Sequence, residues 1–291
     1  MDRIKLKPLA KINLGLDVVG TREDGYHEVR MVMQSLKLHD DLVMEKQPEG
    51  ITMKTNLSFL PCDGDNLVVR AVEMMRQEFG ITTGVNINLR KVIPVAGGMA
   101  GGSSDAASAL FGMNALFDLG LSRENLMEYG LRLGADVPFC IMRGTALSEG
   151  IGEILTPLPA PPSCGVLIVK PKVGVSTKAV YQAFDALEHP EHPDIDALLA
   201  GLKSGNWMDM KKGMGNSLED VTIPMHPVIN DIKKKMMEKG ALISLMSGSG
   251  PTVFGIYENA YDAQKAEKAF KMMQGVQQVA VTGFYNGKGR L

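Results

Sequence analysis

The stretch of this chain best suited to chemistry is Pro94-Val-Ala-Gly-Gly-Met-Ala-Gly-Gly-Ser-Ser-Asp-Ala-Ala107. Glycines let a backbone approach a phosphate closely. The free N–H groups in the first turn of a following helix then point at the anion, and the helix dipole adds partial positive charge. A predicted strand precedes the loop and an alanine-rich helix follows it. Pro94, Val95, Ala96, Gly97, Gly98, Met99, Ala100, Gly101 and Gly102 are therefore the candidate phosphate cradle. Ser103 and Ser104 add hydroxyls at the helix start, suited to a phosphate oxygen or to Mg²⁺, with Ser104 the candidate metal ligand. The loop is not a Walker A sequence, because Ser103 stands where that motif needs Lys; nor is it the dinucleotide G-x-G-x-x-G. The plain alternative is a glycine-rich turn that only caps a helix. Four glycines and two serines in a strand–helix setting favour phosphate binding.

Two further stretches stand at the ends of the chain: Pro8-Leu-Ala-Lys-Ile-Asn-Leu14 and Ser247-Gly-Ser-Gly-Pro-Thr-Val253. In content and order the three segments resemble the three motifs of the GHMP kinases, the family of galactokinase, homoserine kinase and mevalonate kinase. The resemblance implies an α+β, two-domain fold with an N-terminal mixed α/β nucleotide-binding domain. It also implies ATP and Mg²⁺ as cofactors and a small-molecule alcohol as phosphoryl acceptor. Within the family, Arg22-Glu-Asp-Gly-Tyr-His-Glu28 and Gly134-Ala-Asp-Val-Pro-Phe139 resemble one branch in particular. That branch phosphorylates a cytidine-diphosphate-linked methylerythritol on the non-mevalonate route to isoprenoid precursors. A homoserine- or mevalonate-type kinase is the nearest alternative, and a non-catalytic nucleotide-binding protein the more distant one.

Carried over residue by residue, the resemblance makes Asp136 the base that accepts the proton of the attacking hydroxyl. It makes Lys11 the neighbouring cation that stabilises that carboxylate and a developing alkoxide. Without the resemblance, Asp136 reads as a cap after a helix and Lys11 as a solvated strand lysine. Asn13, Tyr26 and His27 match substrate-recognising positions. A neutral imidazole can both donate and accept at a cytosine edge, and a tyrosine ring can stack on a base. Tyr181 is a second candidate aromatic against the cytosine, though its spacing equally suits a helix core. Gly248, Ser249 and Gly250 are expected to close over the nucleotide phosphates or to support the first loop. The family usually has Gly where this chain has Ala96 and Ala100, and alanine does not readily take φ > 0.

The elements that must position these groups can be read from periodicity. Ile12, Leu14, Leu16 and Val18 alternate at period two, which predicts a half-buried strand carrying Lys11 and Asn13. Asp24-Gly25 marks a turn before a strand at Val29–Leu36. Further strands are expected at Leu42–Glu45, Ile51–Thr55 and Val85–Leu89. One helix is expected after a cap at Asp65 or Asn66, a second from Ser103 to about Leu119, and a third from Ser122 to Leu133. Four prolines in Leu155–Ser163 exclude a helix and a central strand. That stretch predicts a connection at 156–163 between domains at 1–155 and 164–291. Leaving out extra helices, the second segment reads β-α-β-β-α-β, which predicts a ferredoxin-like layer.

Bulk properties narrow the function classes. The 291 residues carry a net charge of −2, so no broad basic field is available for nucleic acid. An anionic ligand must be held by local devices. The three cysteines are far apart and show no C-x-x-C spacing, which argues against a zinc site or disulfide framework and fits a reducing compartment. No apolar run of about 18 residues occurs, so a soluble cytoplasmic protein, monomer or homodimer, is expected.

Overall fold

The computed structural model describes residues 1–287. Residues 288–291, the end of the expected second segment, lie outside the described part. Along the first half run β1 (Arg3–Leu6), β2 (Leu9–Thr21), β3 (His27–His39), β4 (Asp41–Gln47), β5 (Ile51–Thr55) and α1 (Leu67–Glu78). Then come β6 (Gly84–Arg90), α2 (Gly101–Phe117), α3 (Arg123–Leu131), α4 (Val137–Met142), β7 (Thr145–Glu149) and β8 (Ile154–Pro157). The second half runs β9 (Gly165–Pro171), α5 (Thr177–Phe184), α6 (Ile195–Ser204), α7 (Trp207–Gly213), β10 (Gly215–Asn216) and α8 (Glu219–Met225). It finishes with α9 (Val228–Glu238), β11 (Ile243–Met246), β12 (Val253–Tyr257), α10 (Ala260–Lys271) and β13 (Val276–Thr282).

One mixed sheet has the order β1-β4-β6-β5, and a second the order β10-β2-β3-β7-β8. The third, β11-β12-β9-β13, is antiparallel throughout. Numbered within its own segment the third sheet reads 4-1-3-2 from β13 to β11, which is the ferredoxin-like arrangement that the βαββαβ pattern predicted. Its central strand β9 is buried on both faces, as its unbroken Gly-Val-Leu-Ile-Val run requires. The second sheet lays Ile12, Leu14 and Val32 against Ile168, Phe254 and Ile256 of the third. A separate core packs α1, α2 and α4 onto the first sheet through Leu42, Met44, Val72 and Leu110.

Local chemistry fixes the helix ends. The Asn66 side chain accepts from Val68 N at 2.9 Å and starts α1. Ser122 and Asn125 form a reciprocal capping box at the start of α3. The helix after the glycine loop begins at Gly101, two residues before the expected Ser103. Its cap is Ala100, a left-handed residue that makes no side-chain capping bond. The proline-rich stretch also differs from expectation. Thr156 and Pro157 belong to β8, which pairs with β7 at the rim of the second sheet. An edge strand is where a proline can join a ladder without leaving a bond unmade. The connection therefore begins two residues later than the predicted 156.

The second half of the chain returns to the first. Residues Gly215 and Asn216 pair parallel with Gly15 and Leu16. Phe284 bridges Leu36, and Tyr285 N donates to Ser35 O at 2.9 Å.

Candidate active site

Lys11 sits on β2 and is 5% exposed. Its ammonium donates to Asn13 Oδ1 at 3.0 Å and lies 3.8 Å from Asp136 Oδ2. Asp136 occupies the N-cap position of α4, followed by Pro138 in the first turn. Its side chain makes no capping bond, so the carboxylate faces Lys11 and solvent with about a third of its surface open. The cap reading of Asp136 therefore holds for its backbone and not for its side chain. A free carboxylate beside a buried cation can accept a proton from an incoming hydroxyl.

Asn13 was expected to touch substrate, but it is fully buried. Its Oδ1 accepts from Lys11 and from Gly248 N at 3.1 Å, and its Nδ2 faces Met31 Sδ at 3.2 Å. Its work is to aim Lys11 and tie the third motif to β2. The third motif is further anchored by Asn216, whose Nδ2 donates to Met246 O and Gly248 O. Ser249 Oγ meets Thr177 Oγ1 at 2.8 Å.

The glycine loop and the Ser247–Gly250 loop lean on each other. Ser247 Oγ donates to Gly98 O at 2.9 Å. A Cβ added to Gly98, whose φ is +74°, would lie 2.1 Å from Ser247 O, so only glycine fits there. Ala96 and Ala100 take φ of 50° and 52°, the left-handed region that glycine occupies freely and alanine does not. The loop's shape stores strain in two alanines. Gly101, which also lines the cavity described below, is close to what lies beneath the loop. A Cβ there would meet Lys91 Nζ and Ile93 Cγ2, each at 3.2 Å, beneath the loop.

A cavity of about 390 Å³ opens on the loop, which supplies one wall from Pro94 to Ser103. Leu60, Pro61, Asn66, Leu67 and Leu89 supply the other. Sequence reasoning missed these residues. The apolar run after the Asn66 cap was visible, but nothing local says that it faces the loop. Ser103 lines the cavity, whereas Ser104, the expected metal ligand, is 2% exposed and does not. Among the described residues no group of three or more His, Cys, Asp or Glu could hold a metal ion.

Asp136 lies near enough to Tyr181 for its charge to act on that phenol, and Tyr181 belongs to an aromatic pair. The His27 ring lies 4.6 Å from that of Tyr181, tilted by 34°. His27 Nε2 sits 2.7 Å from Asp185 Oδ1. Burial, with the negative charge of Asp136 adding to it, pushes the Tyr181 phenol up to about 12. Tyr181 is thus both a packing residue of α5 and the ring partner of His27. Tyr26, at the tip between β2 and β3, is 61% exposed. His27 and Tyr181 are brought together, while Tyr26 stands out from them into solvent.

No helix among the described residues is long and apolar enough to cross a membrane. The profile described as "GHMP kinases N terminal domain" matches residues 66–144, and "GHMP kinases C terminal" matches residues 198–273. A 4-diphosphocytidyl-2-C-methyl-D-erythritol kinase of Lachnospira eligens is 51% identical over 283 residues, covering 97% of this chain and 98% of that protein. The solved structure of a 4-(cytidine 5'-diphospho)-2C-methyl-D-erythritol kinase superposes with a TM-score of 0.84 at 32% identity, covering 98% of this chain and 100% of that one. The homoserine kinase of Cytophaga hutchinsonii shares the fold, with a TM-score of 0.75 at 20% identity over 99% of this chain and 96% of its own. The chain belongs to the GHMP kinase family, on the branch occupied by its half-identical relatives, the 4-diphosphocytidyl-2-C-methyl-D-erythritol kinases.

Proposed function

We infer that this chain transfers the γ-phosphoryl group of ATP to a hydroxyl of 4-diphosphocytidyl-2-C-methyl-D-erythritol. The observation that carries the reading is the placement of Asp136. It stands 3.8 Å from Lys11, whose backbone N–H donates to Met99 O of the glycine loop at 3.1 Å, and the charge of Asp136 reaches the Tyr181 phenol, whose ring pairs with His27. The cavity would hold ATP, its phosphates on the loop amides and its base against Leu60, Leu67 and Leu89. The aromatic pair, with Tyr26 closing over it, would hold the cytosine. The sugar alcohol would then lie across Asp136.

In that pose the hydroxyl oxygen attacks the γ-phosphorus in line and its proton passes to Asp136 Oδ2. The bond from phosphorus to the bridging oxygen breaks, and ADP leaves. Lys11 offsets negative charge on the attacking oxygen, and positioning supplies most of the rate. Mg²⁺ would neutralise phosphate charge. It keeps most of its ligands as water and phosphate oxygens and needs only one or two from protein. Ser103, at the cavity wall, is the hydroxyl placed to serve; the buried Ser104 is not. Residues 1–155 would carry the nucleotide and the base, and residues 164–291 would close the cleft from the other side, as a monomer or homodimer.

An ADP-release assay with Mg²⁺–ATP and a panel of alcohols tests the reading. Turnover is expected with the diphosphocytidyl substrate and little with homoserine or mevalonate. Faster turnover of either of the latter would overturn the substrate assignment.

A further inference from the structure

Two side chains from the end of α5 meet the first residue of β3. Tyr181 places its ring 4.6 Å from that of His27. Asp185, one turn further along, closes the helix, and its Oδ1 lies 2.7 Å from His27 Nε2. The same oxygen accepts from Thr21 Oγ1 at 3.2 Å. Thr21 and His27 face each other across the β2–β3 ladder, so the two strands hold the carboxylate between them. Closing the helix gives that carboxylate no task. The cap is made by the backbone N–H of Asp185, which donates to Ala183 O and Tyr181 O. The other nitrogen of the ring is left free. His27 Nδ1 has no hydrogen-bond partner among the described residues, and it is not sealed from solvent.

We propose that Asp185 is a positioning residue that fixes the tautomer of His27, so that the ring accepts from the exocyclic amine of cytosine and rejects uracil. A carboxylate only accepts, so in the neutral ring the proton at the Asp185 contact sits on Nε2. Nδ1 is then a bare lone pair. At the 4-position cytosine carries an N–H donor, where the uracil type of base carries an oxygen acceptor. Against Nδ1 the amine makes a hydrogen bond, while the oxygen sets two acceptors face to face. A site that bonds one group and leaves its analogue unpaired discriminates far better than pocket shape does. The Tyr181 ring, tilted 34° from the imidazole, limits how that ring can turn. Without the carboxylate the proton is free to move to Nδ1, and the ring then donates to uracil and repels the cytosine amine.

This role rests on the His27–Tyr181 pair holding the base, so the test separates the two. Steady-state kinetics are measured for the full chain, D185A and H27A, with the diphosphocytidyl substrate, its diphosphouridyl counterpart and ATP each varied. H27A is expected to raise the KM for the cytidine substrate and leave that for ATP unchanged. An unchanged cytidine KM in H27A would place the base elsewhere and take the proposal with it. D185A is expected to raise the cytidine KM about three- to tenfold, the range one hydrogen bond is worth, with kcat and the KM for ATP nearly constant. Its preference for cytidine over uridine in kcat/KM should shrink by at least the same factor. Nitrogen-15 NMR is expected to show His27 of the native chain as a neutral ring with its proton on Nε2, and as a mixture of tautomers in D185A. A native ring protonated on Nδ1, or on both nitrogens, at the assay pH would overturn the assignment. So would a D185A enzyme in which both substrates weaken together and the base preference stays intact while H27A loses the cytidine substrate, since that is what a merely loosened α5 would give.

Discussion

The contact between the glycine loop and the Ser247–Gly250 loop can be tested by adding one methyl group. In Gly98→Ala the new Cβ would lie 2.1 Å from Ser247 O, 3.1 Å from its carbonyl carbon and 3.2 Å from Gly250 O. The shortest ordinary carbon–oxygen contact is about 3.3 Å, so one loop must retreat by about 1.2 Å. The listening partner is backbone, which cannot swing aside as a side chain can. At φ +74° a Cβ also costs about 1–2 kcal/mol. The retreat breaks the 2.9 Å bond from Ser247 Oγ to Gly98 O, worth about 0.5–1.5 kcal/mol. Together these come to about 1.5–3.5 kcal/mol against the cradle's present shape. If all of it falls on nucleotide binding, the KM for ATP rises about 10- to 300-fold. Steady-state kinetics with ATP varied would read this, with circular dichroism as a check on folding. Gly102→Ala is the matched control, since its Cβ meets only Leu67 Cδ1 at 3.7 Å. A KM for ATP within twofold of the native value in Gly98→Ala would refute the interlocked arrangement of the two loops.

Asp136→Asn preserves size but removes the basic oxygen, and kcat is expected to drop about 10²-fold or more while ADP affinity stays nearly constant. Lys11→Met should also lower kcat, and the double variant should be little worse than the poorer single one; additive losses would mean that the two act separately. Replacing Ala96 and Ala100 by Gly relieves about 1–2 kcal/mol of left-handed strain at each site against about 0.4–1 kcal/mol of added unfolded-state entropy. Urea unfolding is expected to show a gain of about 0.5–1 kcal/mol for each. A loss in both variants would contradict the left-handed assignment.

Much of this architecture was legible because its signals are local. The Asn66 and Ser122 caps, the period-two run through β2 and the unbroken apolar run of β9 each follow from neighbouring residues. The start of α2 was misread by two residues because Ala100 caps through its backbone angle, which the identity of an alanine does not advertise. Asn13 was read as a substrate contact because it matches a substrate-recognising position of the family; that its Oδ1 accepts from Gly248 N depends on a residue 235 positions away. The pairing of Lys91 with Asp40 beneath the glycine loop escaped for the same reason. The two are 51 positions apart, and each alone reads as an ordinary surface charge. Aromatic pairing of His27 with Tyr181 likewise needs the whole second half of the chain to fold back.

That return has a consequence for how the protein can be divided. The segment after β8 runs to β9 without joining a sheet, and it invites a cut there. Yet β2 borrows its outer neighbour from Gly215–Asn216, and β3 receives Phe284 and Tyr285 near its end. A fragment ending before β9 would leave Gly15 and Leu16 of β2 without their strand partners, an open edge for other chains. Its Lys11 would keep Asn13 but lose the loop that Asn13 holds. Cutting the backbone between β8 and β9 in the folded protein should leave the halves clasped and active. Producing the halves apart should yield an insoluble first piece, rescued when the second is made in the same cell.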